Sequence, residues 1–177
     1  MNTPNKLTLL RAAMIPALLA VLYAGFPGSR YAAMAIFILA SLTDYADGYI
    51  ARRRGLVTDF GKFMDPLADK ALVIAAMLWF VETGAMPAWA ALIVIAREFA
   101  VTSLRLLAAA SGRVIAAALL GKAKTACTML CLTVMFIGLP AWANMACAAV
   151  ITAATVLSGI ELFVKNRDVM RDINGGK

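Results

Sequence analysis

Asp44, Asp47, Asp65 and Asp69 are the residues of this chain whose type and spacing point most directly to chemistry. They stand in "DYADGYIARRRGLVTDFGKFMDPLAD", a charged stretch with long apolar runs on both sides. A charge inside a bilayer costs about 2.5–3.5 kcal/mol on insertion scales and persists where a partner answers it. Carboxylates brought together repel one another and stay partly protonated unless a cation neutralises them. Asp44 and Asp47 are three apart and share a helix face, while Gly61, Asp65 and Asp69 step by four along one stripe. Oxygen donors alone suit a hard divalent ion, Mg2+ or Mn2+, better than zinc. Two such ions bridging phosphates would stabilise an in-line displacement.

The small residues in the same stretch matter as much. Gly48 follows Asp47, and Ala51 lies four beyond Asp47 on the same face, leaving a bare groove where a planar group or a backbone can approach. Arg52 stacks one turn below Gly48, and its guanidinium fork matches a pair of phosphate oxygens. Acids, groove and arginine together describe a diphosphate site. The plainer alternative is a solvated loop whose charges only set topology. That account suits Arg53, Arg54 and Lys62, but not Asp44 or Asp69, which fall inside apolar helices.

The elements that must position these groups are helices in a membrane. The chain has 177 residues, 63% hydrophobic and 15% charged, with a mean hydropathy of +0.83. A soluble domain is closer to half apolar, so the composition predicts an all-α, polytopic membrane protein with a single domain over 1–177. Apolar runs between Gly, Pro and charged breakers predict six transmembrane helices near 7–25, 31–53, 62–82, 86–111, 113–137 and 140–164. Arg30 is the one basic residue in the connections on one side, while Lys6, Arg11, Arg52, Arg53, Arg54, Lys62, Arg113 and the tail charges gather on the other. Both termini are therefore expected in the cytoplasm, with Trp79, Trp89 and Trp142 in a belt near the outer ends. The four aspartates then lie in the cytoplasmic half of the bilayer. The net charge of +7 reads as this topological bias and not as nucleic-acid binding. The first apolar run resembles a signal peptide but lacks a persuasive cleavage site, and reads as a retained helix. The absence of histidine removes the commonest general base and leaves acid–base work to Asp, Glu or Lys. Cys127, Cys131 and Cys147 are too few to complete a zinc site without it.

The pattern Asp44-x2-Asp47-Gly48-x2-Ala51-Arg52-x8-Gly61-x3-Asp65-x3-Asp69 resembles the complete motif of the CDP-alcohol phosphatidyltransferase family, with all eight positions occupied. The resemblance implies transfer of a phosphatidyl or related group from a CDP-linked donor to an alcohol, with release of CMP. It implies that Asp44, Asp47 and Asp65 bind the metals, with Asp69 joining at the second ion and acting as base on the acceptor hydroxyl. Gly48, Ala51, Arg52, Thr58 and Gly61 would line the CDP-lipid site. The opening "PNKLTLLR" is similar to the family's first segment, which adds Asn5 and Thr8 to the nucleotide pocket. A homodimer is a further implication of the resemblance.

The acceptor has to be read elsewhere. "IAREFAVTSLRLL" places Arg97 about halfway along the fourth span, with Glu98 beside it and Arg105 two turns on; "GKAKTACTM" adds Lys122 and Lys124. An arginine near mid-membrane demands an anion, and an Arg97–Glu98 pair holding helices together is one answer. Arg97, Arg105 and Lys124 against the single Glu98 leave surplus charge able to hold a phosphate dianion. Lys122 belongs to that pocket or, like Arg113, to a loop. The two stretches also resemble the branch of the family whose acceptor is sn-glycerol 3-phosphate. That branch implies CDP-diacylglycerol as donor and phosphatidylglycerol phosphate as product, made at a bacterial inner membrane. Phosphatidylinositol-phosphate, phosphatidylserine and cardiolipin synthases of the same family are the alternatives. A divalent-cation transporter would need polar residues continuing to the outer face, and the outer halves of the spans offer almost none.

Overall fold

A computed structural model describes the backbone of residues 3–54, 59–110, 112–113, 115–116 and 118–168, and the side chains of those from residue 10 on, apart from 44–66 and 69. The helices are α1 (Thr3–Ala24), α2 (Ser29–Arg54), α3 (Asp59–Glu82), α4 (Ala88–Ala110), α5 (Leu119–Met135) and α6 (Ala141–Lys165). Among the described residues there is no strand, so the expected all-α class holds. Helix α6 is the one described element both long and apolar enough to cross a bilayer; Leu10–Ala24 and Ser29–Thr43 are shorter apolar segments.

The chain forms two compact units. The first comprises Met1–Ala85 and Leu132–Pro140. Here α1 packs against α2 and α3, and α2 against α3. Leu18, Phe37, Ala40, Leu72, Ala76 and Phe80 are buried between them. Phe136, just past α5, closes an aromatic cluster with its ring centroid 4.8 Å from Phe80, 5.7 Å from Phe37 and 6.3 Å from Trp79. Arg30 lies 5.5 Å from the centre of the Trp79 ring, within cation–π range. Trp79 therefore departs from the expected belt. It is 8% exposed and packs inward, whereas Trp89 and Trp142 are 51% and 76% exposed. The Tyr23 hydroxyl donates to Glu82, tying the end of α1 to the end of α3.

The second unit comprises Met86–Cys131 and Ala141–Lys177, with α4 against α6. The buried residues of α6 include Asn144, Ala148, Ile151, Thr155, Ser158 and Leu162, an alternation of four and three. On α4 the buried residues Ala90, Val94, Val101, Leu104 and Ala108 follow the same alternation, with Arg97 at the step between Val94 and Val101. Such a repeat is the seam of a coiled-coil-like pair, and small residues there let two backbones approach. Val101, Leu104, Ala108 and Leu162 form its apolar end, with Ile115 and Phe163 packed against them.

The fifth helix differs from expectation. The apolar run predicted a span from 113, but α5 begins at Leu119. Helix α4 ends in a Schellman turn: Arg113 N donates to Ala108 O at 2.9 Å and Gly112 N to Ala109 O at 3.0 Å, with Gly112 at φ 70°. Past that turn Ile115 folds back onto the Val101–Leu162 cluster. Ile115 is partly buried there, a tertiary contact that competes with local helix propensity. The aromatic cluster gives a stability test. Phe136→Ala removes a fully buried ring and should cost about 3 kcal/mol, read as a lower unfolding midpoint of the detergent-solubilised protein.

Candidate active site

Helix α2 runs unbroken to Arg54, so Asp44, Asp47, Gly48, Ala51 and Arg52 all lie on its final turns. Helix α3 starts at Asp59 and carries Gly61, Asp65 and Asp69 on its first turns. Each acidic pair thus sits on continuous helix, where spacings of three and four keep residues on one face. The side chains of these residues, and those of Asn5 and Thr8 on α1, lie outside the described residues, as does Thr58 altogether. Carboxylates at these spacings on two neighbouring helices are a donor set that fits a hard divalent ion. Among the described residues no group of three His, Cys, Asp or Glu gathers to hold a metal.

One feature of this region escaped the sequence reading. Arg11, counted there among topological charges, is 1% exposed. It shares a stripe of α1 with Leu18 and Leu22, at i+7 and i+11, so the signal was present in the spacing. The Tyr23–Glu82 bond fixes the level of Arg11. It lies about 18 Å down α1 from Tyr23, and Asp69 lies about 20 Å down α3 from Glu82. A buried cation therefore stands at the height of the acidic stretch.

In the second unit the charged side chains can be followed atom by atom. Arg97 Nη1 donates to Glu98 Oε1 at 2.8 Å, and Lys124 Nζ donates to the same oxygen at 2.9 Å. Arg97 Nη2 donates to Ser158 Oγ on α6 at 3.1 Å. The side chains of Arg97, Glu98 and Lys124 are 13%, 16% and 8% exposed, so the cluster is largely out of solvent. Two cations on one carboxylate leave the cluster with a net positive charge. Arg105 and Lys122 do not join it; both side chains are exposed. Lys122 and Lys124 are two apart and point to opposite sides of α5. Glu161 and Lys165 form an i,i+4 pair near the end of α6, at 2.6 Å with Lys165 63% exposed.

The model of the CDP-alcohol phosphatidyltransferase family matches residues 1–158, which include both the acidic stretch and the Arg97–Glu98–Lys124 cluster. The chain belongs to the CDP-alcohol phosphatidyltransferase family. Among relatives within it, a CDP-diacylglycerol–glycerol-3-phosphate 3-phosphatidyltransferase of Bacillus subtilis is 42% identical over 192 residues, covering 98% of this chain and 99% of its own. A probable phosphatidylglycerophosphate synthase of Mycobacterium tuberculosis is 38% identical over 98% of this chain and 84% of its own length. The Escherichia coli CDP-diacylglycerol–glycerol-3-phosphate 3-phosphatidyltransferase is 37% identical over 89% and 88%. Within this phosphatidyltransferase the Glu98 carboxylate is what keeps Arg97 and Lys124 together. Glu98→Ala should lower unfolding stability by about 3 kcal/mol, because two largely buried cations lose their shared anion. Adding Lys124→Met should recover part of that loss in a double-mutant cycle measured by denaturant unfolding.

Proposed function

We infer that this chain transfers the phosphatidyl group of CDP-diacylglycerol to sn-glycerol 3-phosphate, giving phosphatidylglycerol phosphate and CMP. The observation that carries the reading is near-full-length similarity to enzymes named for that reaction, with every position of the acidic motif filled. The net positive Arg97–Glu98–Lys124 cluster supports an acceptor that already bears a phosphate.

The chain is read as spanning the inner membrane six times, with both termini and the acidic site on the cytoplasmic side. Large apolar side chains exposed along α4, α5 and α6 support a lipid surround: Leu92 66%, Phe99 68%, Leu130 67% and Ile160 56%. The asymmetric Lys and Arg distribution supports the orientation. A homodimer is proposed on the family resemblance alone.

In this reading Asp44, Asp47, Asp65 and Asp69 hold Mg2+ or Mn2+, in all two ions. Bound there, the metal supplies charge neutralisation for the donor's diphosphate. Arg52 fits a phosphate oxygen pair beside Gly48 and Ala51, with Thr58, Gly61, Asn5 and Thr8 completing the CDP-lipid site. Arg97 and Lys124 bind the acceptor phosphate, and the exposed Arg105 and Lys122 are retained only as outlying members of that group. Asp69 accepts the proton of the acceptor hydroxyl. The freed oxygen attacks the β-phosphorus, the bond from that phosphorus to the bridging oxygen breaks, and CMP leaves with that oxygen.

Three measurements bear on these roles. CMP release from CDP-diacylglycerol and glycerol 3-phosphate should stop in EDTA and return with Mg2+ or Mn2+; undiminished release in EDTA contradicts the metal assignment. Arg97→Ala should raise KM for glycerol 3-phosphate by about tenfold or more while leaving KM for CDP-diacylglycerol in place. With a panel of acceptors, glycerol 3-phosphate should be used ahead of serine and inositol phosphate.

A further inference from the structure

Arginine is a long, flexible side chain, and a phosphate pocket built on one works only if the guanidinium is held in a fixed attitude. Glu98 does part of this, but it is the residue next to Arg97 on the same helix and moves with it. The only other described protein group on the guanidinium comes from α6. Ser158 is 1% exposed, and its Oγ accepts from Arg97 Nη2 at 3.1 Å while donating to Thr155 O at 3.0 Å. The second bond fixes the direction of the hydroxyl proton and leaves the oxygen to accept from Arg97. The next residue, Gly159, presents no side chain to the Arg97 stem. A Cβ there would lie 3.4 Å from Arg97 Cγ and 4.0 Å from Nε. Among the described residues Arg97 Nε is buried and has no acceptor, which makes it the donor left over for a ligand oxygen. With Nη1 on Glu98 and Nη2 on Ser158, the attitude of the guanidinium plane is set, and Nε lies buried beside Gly159 without an acceptor.

We propose that Ser158 and Gly159 of α6 are positioning residues that aim Arg97 at the phosphate of the acceptor. The proposal rests on the reading of Arg97 as an acceptor-phosphate ligand and adds to it the α6 residues that determine its selectivity. Ser158 holds the guanidinium, and Gly159 leaves the stem of Arg97 free of a side-chain contact from α6. Neither residue touches the reacting atoms.

The test uses the full chain purified in detergent, with initial rates of CMP release measured against each substrate in turn. Ser158→Ala should raise KM for glycerol 3-phosphate by about tenfold and leave KM for CDP-diacylglycerol unmoved. Ser158→Thr, which keeps the hydroxyl, should restore most of the loss. Gly159→Ala places its Cβ at the edge of ordinary contact and should have a smaller effect than Gly159→Val, whose branches reach the Arg97 stem. If Arg97→Ala raises KM for glycerol 3-phosphate but Ser158→Ala does not, the positioning role is wrong and the phosphate pocket stands. If Arg97→Ala itself leaves that KM unchanged, the pocket reading fails and the proposal with it. Loss of activity in Ser158→Ala that tracks only the folded fraction, with both KM values unmoved, assigns Ser158 to packing and overturns the proposal. Should Gly159→Val not fold, the Ser158 pair decides the matter.

Discussion

A charge taken out of water must be answered by an opposite charge or a hydrogen-bonding group, and most of what this chain does follows from that constraint. Its helices are apolar enough that each buried ionised group stands out against them. Unpaired, such a group would shift its protonation or be expelled to the surface. Paired, it becomes a fixed electrostatic feature in surroundings that screen it poorly. The four aspartates near the α2–α3 connection and the Arg97–Glu98–Lys124 cluster are two answers to the same problem. In the first the answer is taken to be a bound cation. In the second it is a shared carboxylate that leaves positive charge unspent.

The α4–α6 seam shows how a fold can carry such a group without losing its packing. A strict alternation of four and three along both helices brings small and branched side chains into register, and Arg97 occupies one step of that alternation. Arginine is too large for a seam position unless the facing residues give way. Ser158 gives it a hydrogen bond and Gly159 gives it room. The packing defect therefore falls where the phosphate pocket is proposed, and local rules of helix pairing are relaxed at that step.

How much of this could be read in advance varied with the physics involved. Helix order followed from long apolar runs cut by Gly, Pro and charge, because backbone hydrogen bonds in an apolar medium leave few other options. The start of α5 did not follow, since Ile115 is held by a distant cluster and not by its neighbours in sequence. Arg97 and Lys124 stood out as charges in greasy runs, but sequence gave them equal standing with Arg105 and Lys122; only the helix faces separate the buried pair from the exposed one. Ser158 was invisible because serine is common and small, although its place in the repeat through Asn144, Ile151 and Leu162 would have marked it as a seam residue. Arg11 was misjudged for the opposite reason. It was counted only as a topological charge, and its spacing from Leu18 and Leu22, which marks the buried face of α1, was not used. The acidic motif was the most legible part, since its spacing repeats a family pattern and helices α2 and α3 run continuously through it.

The most direct measurement is the binding of Mn2+ to the full-length protein in detergent with CDP-diacylglycerol present, followed by loss of the paramagnetic resonance signal of the free ion. The account predicts saturable binding to the intact chain that disappears in an Asp44→Asn, Asp65→Asn double variant that remains folded. Equal binding by the variant, or none by an intact chain that still releases CMP, would contradict it.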